Sequence, residues 1–303
     1  MRAAILNPTG GIRLDKLLVP APGAGEALIR VLACGVCTSD MGAYRNGLGA
    51  DTVLGHEVVG VVEALGQGAQ GVAIGRRVTG AIMHGYADYT VARADALIPV
   101  PDALADHEAI TEPFSCMMSG IRRAGCAGAE SAIVVGAGFM GLSLIALLKS
   151  AGVGRVDVCD ISRAALEQAK ALGADAVYLP SDAQPECPQV FEAAGTQGAL
   201  TWANELVSSG GTLTIVGYHP CTREIDMNLW AAKAITVINA FEYNRPIQLE
   251  NMREALGLIQ RGSLSLDKLF THHFTLEQTD QAFQTHLHRP GGFIKGYVRV
   301  NNR

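Results

Sequence analysis

The stretch Ser131-Ala-Ile-Val-Val-Gly-Ala-Gly-Phe-Met-Gly141 indicates how the middle of this chain folds. It begins with an apolar run of strand length and leads into a predicted helix over residues 142–150. The intervening G-x-G-x-x-G pattern suits a pyrophosphate, because its glycines permit a tight turn, close approach of the backbone, and close helix–strand packing. The alternative is a glycine-rich turn without a ligand. The residues predicted to form a dinucleotide-binding turn are Gly136, Gly138, Phe139, Met140 and Gly141.

Strands and helices alternate in the residues that follow this stretch. The predicted strands are 156–159, 176–178, 189–192, 212–216 and 235–239, and the predicted helices are 163–172 and 197–207. Residues 208–211, Ser-Ser-Gly-Gly, are predicted to form the turn after the second of these helices. Such alternation is typical of a parallel, doubly wound sheet with helices on both faces.

The two ends of the chain follow different patterns. Residues 1–110 predict short strands with glycine- and proline-rich turns, as in an antiparallel β lobe. The tail predicts a helix over 250–261, a capping box beginning at Thr275, and a strand over 293–300. We therefore expect an N-terminal catalytic domain, a nucleotide-binding domain, and a tail that returns to the first domain. The expected boundaries are 1–117, 118–241 and 242–303.

Composition excludes several classes of protein. The 303 residues can form two lobes, and a net charge of −5 without a long basic run argues against a nucleic-acid partner. Residues 132–148 are apolar but interrupted by glycine, and a membrane span needs about 20 apolar residues. The N-terminal residues lack the apolar core of an export signal, and the 7 cysteines are scattered. We expect a cytoplasmic protein with small-molecule partners, and a Cys34–Cys37 redox pair is the weaker reading of that spacing.

Asp160 closes the strand predicted after the glycine-rich turn. A carboxylate at this place can accept hydrogen bonds from the adenine ribose and repels a 2′-phosphate, so it favours NAD over NADP. The alternative is an acidic residue that stabilises a helix N-terminus. Arg163 is a further candidate contact, and it could tolerate a phosphate.

Three other segments carry the side-chain types that bind zinc. They are Cys34-Gly-Val-Cys-Thr-Ser-Asp40, Gly55-His-Glu57 and Thr111-Glu-Pro-Phe114. Thiolate, imidazole and carboxylate are all zinc ligands. Each segment alone also has a structural explanation: a buried cysteine, a hydrogen-bonded histidine, or a glutamate that caps the helix begun by Pro113.

Taken together, the motifs resemble the zinc-dependent branch of the medium-chain dehydrogenase/reductase superfamily, nearest the sorbitol and threonine dehydrogenases. The matching motifs are the three segments above, Gly75-Arg-Arg-Val78, Gly85-Tyr-Ala-Asp-Tyr89, the G-x-G-x-x-G pattern and Phe191-Glu-Ala-Ala-Gly195. The resemblance implies a GroES-like, mainly-β catalytic domain plus an α/β Rossmann domain, with the active site in the cleft between them. It also implies an alcohol or polyol dehydrogenase.

The resemblance assigns roles by position. Cys37, His56 and Glu57 correspond to zinc ligands, and Glu112 corresponds to a glutamate beside the metal that binds it directly or through water. Alcohol-type members have a cysteine at that last place, for which Cys116 could compete. The catalytic set is Cys37, Ser39, His56 and Glu57, in which Ser39 would pass the substrate proton outward. Asp40 is expected to orient the loop.

Zinc in this setting would polarise the alcohol or carbonyl oxygen, and the nicotinamide would exchange hydride with the carbon. Two alternatives remain at this point. One is a zinc-free NAD(P)H reductase of the same fold, and the other is a catalytically silent binding protein.

The sequence departs from the resembled family in two places. Many relatives hold a second, structural zinc with four cysteines, but no cysteine lies between Cys37 and Cys116, so we expect one catalytic zinc. Relatives also often complete the proton relay with a histidine, whereas Met41-Gly-Ala-Tyr44 follows here. Tyr44 is either a packed aromatic or a substrate contact, and His84 either reaches the cleft or lies on the surface.

Two expectations concern surfaces. His272, His273, His286 and His288 in the tail are predicted to be solvated. A homodimer or homotetramer is expected, because the predicted strand 235–239 resembles one that commonly pairs between subunits in the superfamily.

Overall fold

The structure is a computed structural model that describes residues 1–301. The chain folds into two units, Met1–Ser115 with Asn244–Arg303, and Cys116–Tyr243. Within residues 1–301, none of the helices has the length and apolarity needed to cross a bilayer.

The strands, in chain order, are β1 (Arg2–Leu6), β2 (Ile12–Lys16), β3 (Glu26–Gly35), β4 (Glu57–Leu65), β5 (Arg77–Gly80), β6 (Tyr89–Arg93), β7 (Leu97–Pro99), β8 (Ser131–Val135), β9 (Arg155–Cys159), β10 (Ala176–Tyr178), β11 (Cys187–Glu192), β12 (Val207–Ile215), β13 (Thr236–Asn239), β14 (Phe270–Thr275) and β15 (Lys295–Arg299). The α-helices are α1 (Met41–Asn46), α2 (Phe114–Ala124), α3 (Phe139–Ser150), α4 (Arg163–Ala171), α5 (Gln197–Leu206), α6 (Met227–Lys233), α7 (Arg245–Gln260) and α8 (Thr279–His288).

The first unit is built on a mostly antiparallel sheet with the order β14-β15-β3-β4-β5-β7, and β6 also pairs with β3. β15, from the tail, lies antiparallel to the end of β3, and β14 pairs with β15 in parallel. α8 packs its buried face into the core of this sheet, where Phe283 contacts Tyr44 and Tyr86. The long strands β3 and β4 carry the predicted metal ligands near their ends.

The second unit is a six-stranded sheet in the order β10-β9-β8-β11-β12-β13, with every pairing parallel. Numbered from β8, this order is the 3-2-1-4-5-6 arrangement of a doubly wound dinucleotide-binding fold. The order reverses between β8 and β11, and ligands of such sheets bind outside the carboxyl ends of the strands at this point. The predicted doubly wound sheet is therefore confirmed.

Several local predictions need correction. α3 begins at Phe139 rather than at residue 142, because Gly138 is its N-cap. α7 begins at Arg245 rather than at residue 250. Asn244 is its N-cap, and the Asn244 side chain accepts a hydrogen bond from the backbone N–H of Ile247. The capping box at Thr275 is confirmed, since its backbone N–H is bonded to the Gln278 side chain.

Residues 208–211 lie inside β12 instead of forming a turn. The strand is irregular here. The register with β11 jumps from Cys187↔Val207 to Gln189↔Thr212, as expected for residues with the composition of a turn. Gly210 has a φ of 73° in this irregular stretch. The registers with β11 and β13 pair Val207 and residues 212–215 and pass over residues 208–211, so these residues form an irregular insertion in β12.

Candidate functional site

The predicted metal ligands converge because of the pairing between β3 and β4. Gly35, at the end of β3, lies directly opposite Glu57, at the start of β4. A Cβ atom at Gly35 would overlap Oε2 of Glu57, so a larger residue there would displace this buried carboxylate. Cys37 follows β3 and His56 precedes β4, so both side chains lie beside Glu57.

The three side chains form a cluster with metal-ligand geometry. One ligand atom from each of Cys37, His56 and Glu57 lies within 4.8 Å of the other two, and we call these residues the metal-ligand cluster. Oε2 of Glu57 is buried without a hydrogen-bond partner among the described residues. A buried acceptor without a donor is costly unless a cation completes it. The thiolate, imidazole and carboxylate set with this free oxygen fits zinc.

His56 is held by a carboxylate on the side away from the cysteine. Nδ1 of His56 lies 3.4 Å from Oδ1 of Asp40, while Nε2 lies 3.5 Å from Oγ of Ser39. A histidine that binds metal through one nitrogen usually donates the other N–H to a carboxylate, which fixes its tautomer. Burial lowers the pKa of His56, but hydrogen bonds and charges from Asp40 and Cys37 outweigh it and raise the pKa to about 12. The expected role of Asp40 in orienting its loop therefore extends to the imidazole.

Lys295, at the start of β15, is the residue that the sequence did not reveal. Its Nζ donates to Oε1 of Glu57 at 2.8 Å and to the backbone oxygen of Val36 at 3.1 Å. Lys295 is 5% exposed and Glu57 is 1% exposed. Burial lowers the pKa of Lys295, but the Glu57 charge leads the effects that leave this pKa raised. Lys295 thus balances the charge of Glu57 through Oε1, which leaves Oε2 for a ligand.

Glu112 does not belong to the group of ligand atoms within 4.8 Å of one another among residues 1–301. Its carboxyl group nevertheless lies within electrostatic range of His56, Glu57 and Lys295. Burial is the main cause that raises the pKa of Glu112 to about 7, with the charge of Glu57 acting in the same direction. Glu112 as a metal ligand stays a prediction.

Three other residues of the first unit that the sequence analysis discussed are Cys34, Tyr44 and His84. Tyr44 is buried, donates its hydroxyl to Asp280 at 2.9 Å and packs on Phe283, so it is a packed aromatic. His84 is exposed, and its Nδ1 lies 2.7 Å from the backbone oxygen of Val53. Cys34 is fully buried, and burial raises the pKa of its thiol, which disfavours Cys34 as the reactive thiolate of a redox pair.

The tail histidines are not all solvated as predicted. His286 is 7% exposed, and its Nε2 lies 3.0 Å from the Thr38 hydroxyl. Its burial follows from helix periodicity, since α8 also buries Thr279, Ala282 and Phe283 on the same face.

The glycine-rich turn of residues 136–141 has the geometry that the sequence predicted. Gly136 has a φ of 105°, and a Cβ there would lie 2.8 Å from the Ala194 side chain. A Cβ at Gly141 would lie 1.7 Å from the backbone oxygen of Gly136, so the third glycine permits the close helix–strand contact. A Cβ at Gly138 would meet nothing within 4 Å. The space in front of Gly138 is therefore open to a ligand.

Asp160 lies at the carboxyl end of β9, beside this turn. Its Oδ2 accepts a hydrogen bond from the backbone N–H of Ala137 at 2.6 Å, and its Oδ1 accepts from Ser162 at 2.8 Å. Arg163 is exposed at the first position of α4, whereas Phe139 is buried and Met140 is half-buried. Both carboxylate oxygens of Asp160 thus accept backbone N–H groups, and its contact with a ribose stays a prediction.

Comparison with family models assigns both units. Residues 23–102 match the model of the alcohol dehydrogenase GroES-like domain, and residues 140–261 match the zinc-binding dehydrogenase model. These matches confirm the predicted fold class, a GroES-like, mainly-β domain and a Rossmann domain.

Similar proteins extend over nearly the whole chain. Sorbitol dehydrogenase of Bacillus subtilis is 27% identical, and the match covers 99% of this chain and 98% of the relative. The crystal structure of 2R,3R-butanediol dehydrogenase from Bacillus subtilis has a TM-score of 0.87 at 24% identity and 99% coverage of both chains. A zinc-binding dehydrogenase from Sinorhizobium meliloti, bound to NADP, has a TM-score of 0.87 at 23% identity and 98% coverage of both chains.

Proposed function

Because the chain belongs to the zinc-type medium-chain dehydrogenase/reductase superfamily, we propose that it is a zinc-dependent, NAD-linked dehydrogenase of a secondary alcohol or polyol. The observation that carries this proposal is the convergence of Cys37, His56 and Glu57, with one carboxylate oxygen left without a donor. A zinc-free reductase would have no use for this donor set.

The residues that would hold zinc are those of the metal-ligand cluster, with Glu112 as the proposed additional ligand. When bound, zinc supplies a Lewis acid for the substrate oxygen, and NAD supplies the hydride acceptor. Asp40 keeps the His56 ring oriented, and Lys295 holds the Glu57 carboxylate in place. These contacts preorganise the donor atoms before any ligand arrives.

Ser39 is the residue proposed to take the substrate proton. It is exposed, and its Oγ lies 3.2 Å from Sγ of Cys37 and 3.5 Å from Nε2 of His56. A Cβ at Gly42, in the segment where relatives often carry the relay histidine, would meet nothing within 4 Å. Because no histidine lies in this segment, the proton is taken to pass from Ser39 to water or to a cofactor ribose hydroxyl.

The substrate is proposed to be a secondary alcohol with a neighbouring hydroxyl group. The support is chemical, since sorbitol and 2R,3R-butanediol, named in the two relatives above, both carry adjacent hydroxyl groups. A panel of polyols, butanediol isomers and simple secondary alcohols, followed at the NADH absorbance, tests this class.

Metal analysis combined with that panel tests the whole proposal. The expected result is about one zinc per chain, with turnover that chelation removes and zinc restores. Less than about half an equivalent of zinc, with activity that survives chelation, would support the zinc-free reductase. Zinc and NADH binding without turnover on the panel would support a silent binding protein. Replacing Glu112 with Gln tests its place as a ligand, through the zinc content alone.

Cofactor choice is proposed to be NAD, on the strength of the Asp160 carboxylate beside the glycine-rich turn. The Sinorhizobium meliloti structure contains NADP, so this point needs its own measurement. The test compares kcat/KM for NAD and NADP in the wild type and in the Asp160→Gly variant. Equal or better use of NADP by the wild type contradicts the choice.

A homodimer or homotetramer is proposed through the edge strand of the parallel sheet. β13 ends the sheet order, Val237 on it is 38% exposed, and Phe241 just beyond it is 66% exposed. An exposed strand edge pairs readily with another chain. Light scattering should give the mass of an oligomer, and Val237→Lys, which charges this edge, should shift it toward the monomer.

A further inference from the structure

Glu192, the last residue of β11, is fully buried and joins two loops by hydrogen bonds. Its Oε1 accepts from the backbone N–H groups of Ala194 at 2.9 Å and Gly195 at 2.7 Å. Its Oε2 lies 2.9 Å from Nε2 of His219, in the loop after β12. One carboxylate therefore connects the loops that follow two neighbouring parallel strands.

The contact with Arg223 determines which ring nitrogen of His219 carries the hydrogen. Its Nε donates to Nδ1 of His219 at 2.9 Å, and a guanidinium group can only donate. Nδ1 is therefore the acceptor, and the ring proton resides on Nε2, from which it is donated to Glu192. Nη2 of Arg223 also donates to the backbone oxygen of Gly195 at 2.8 Å, which links Arg223 back to the loop after β11. We call Glu192, His219 and Arg223 the Glu192 network.

The loops after β11 and β12 also contact each other through their backbones. The N–H groups of Val216 and Gly217 donate to the backbone oxygen of Glu192 at 2.8 and 2.9 Å. A Cβ at Gly217 would lie 2.4 Å from the nitrogen of Gly195, and a Cβ at Gly195 would lie 2.3 Å from the oxygen of Tyr218. The position of the loop after β12 is thus fixed by both the network and the glycine contacts.

These loops lie next to the glycine-rich turn. A Cβ at Gly136 would touch Ala194, so the turn after β8 packs directly on the loop after β11. A dinucleotide in a doubly wound sheet extends to both sides of the switch point between these strands. Asp160 marks the β9 side as the place of the adenosine half. The loops after β11 and β12 therefore flank the nicotinamide half.

We propose that His219 is a positioning residue for the cofactor, which fixes the loop after β12 against Glu192 and so forms the seat of the nicotinamide half. This inference rests on the proposed function, in which the crevice binds NAD. The role of His219 depends on having one donor and one acceptor in the same ring, because Nε2 donates to Glu192 and Nδ1 accepts from Arg223. Leucine can do neither, whereas a glutamine amide can do both.

The test compares the binding of NADH with that of ADP, which lacks the nicotinamide half, by calorimetry. His219→Leu should weaken NADH binding about tenfold, since a buried carboxylate loses one of its donors, and should leave ADP binding nearly unchanged. His219→Gln should restore most of the NADH affinity. His288→Leu, the same change at an exposed histidine of α8, should affect neither ligand.

Each outcome separates the inference from the proposed function. If the wild type binds no NADH, the proposed function fails and the inference with it. If the wild type binds NADH and His219→Leu binds it equally well, the inference alone is wrong. An equal loss of ADP and NADH affinity also overturns it, because the residue would then support the whole unit. Should His219→Leu not fold, Arg223→Met removes the outer contact and should show the same selectivity for NADH in weaker form.

Discussion

The metal-ligand cluster and the glycine-rich turn are built in opposite ways. The cluster is a set of side chains, brought together by strand pairing and balanced by Lys295 from a distant part of the chain. The turn is made of backbone from a few consecutive residues, and the absence of side chains gives it its shape. A site of the first kind depends on each functional group, whereas a site of the second kind depends on what must be missing.

The difference has a consequence for mutational sensitivity. Substitution in the cluster should remove chemistry and leave the other unit intact. Substitution in the turn should act through space, either on the protein itself or on the ligand. The following experiments test this contrast in order of decreasing effect.

Cys37→Ala should abolish turnover and lower the zinc content, because it removes a ligand from the cluster. NADH affinity should stay nearly unchanged, since Cys37 belongs to the first unit and the glycine-rich turn to the second. Metal analysis and NADH titration measure both effects. Cys126→Ala, at a buried cysteine outside the cluster, should keep zinc and turnover. Retained kcat in Cys37→Ala would show that the cluster has no part in the reaction.

Lys295→Met should destabilise the zinc-free protein by about 3–5 kcal/mol, because Glu57 is then a buried charge without its partner. Added zinc should offset much of this loss, since it can neutralise the same carboxylate. Zinc should therefore raise the Tm of the variant more than that of the wild type. Lys149→Met breaks a half-exposed ion pair with Asp175 and should cost about 1 kcal/mol or less. Equal Tm values for the zinc-free wild type and Lys295→Met would contradict the role of the pair.

Two alanine variants separate protein packing from ligand space in the glycine-rich turn. Gly141→Ala should destabilise the second unit, because its Cβ would overlap the backbone oxygen of Gly136. Gly138→Ala should fold normally and weaken NADH binding about tenfold, because its Cβ would occupy only the space of the pyrophosphate. Thermal unfolding and NADH titration distinguish them. Wild-type affinity in Gly138→Ala would mean that the ligand does not approach this position.

Gly42→Ala provides the matched case in the first unit, with the smallest effect. Like Gly138, Gly42 has open space in front of it, but it lies inside α1. Alanine should stabilise the protein by at most about 0.5–1 kcal/mol, the difference found in a helix interior, because Gly42 is only the second residue of α1. Zinc content and NADH affinity should not change. A loss of stability would indicate that this space is already filled by something the protein needs.

The same contrast explains how far the sequence could be read. Ser131–Val135 was predicted with its observed bounds, because strand, turn and helix signals stand next to one another. Cys37, His56 and Glu57 could be singled out because they occur in short motifs. Lys295 could not, because no motif marks it and it meets Glu57 across 238 positions of sequence.

Burial is the other property that local reading missed. His286 was expected at the surface, but the periodicity of α8 turns it inward toward Thr38. Glu112 was assigned from its motif alone, and its raised pKa comes from burial, which only the folded chain shows. Residues 208–211 have the composition of a turn, and they form an irregular insertion in β12 that the registers with both neighbouring strands pass over.

The position of Lys295 has a meaning for how the protein is made. During synthesis Cys37, His56 and Glu57 leave the ribosome long before β15, so the growing chain contains the metal-ligand cluster without the internal counterion Lys295. Contacts between such distant segments form late in folding, because closing a long loop must precede them. The final arrangement of the metal-ligand cluster is therefore reached only after the last strand has joined β3.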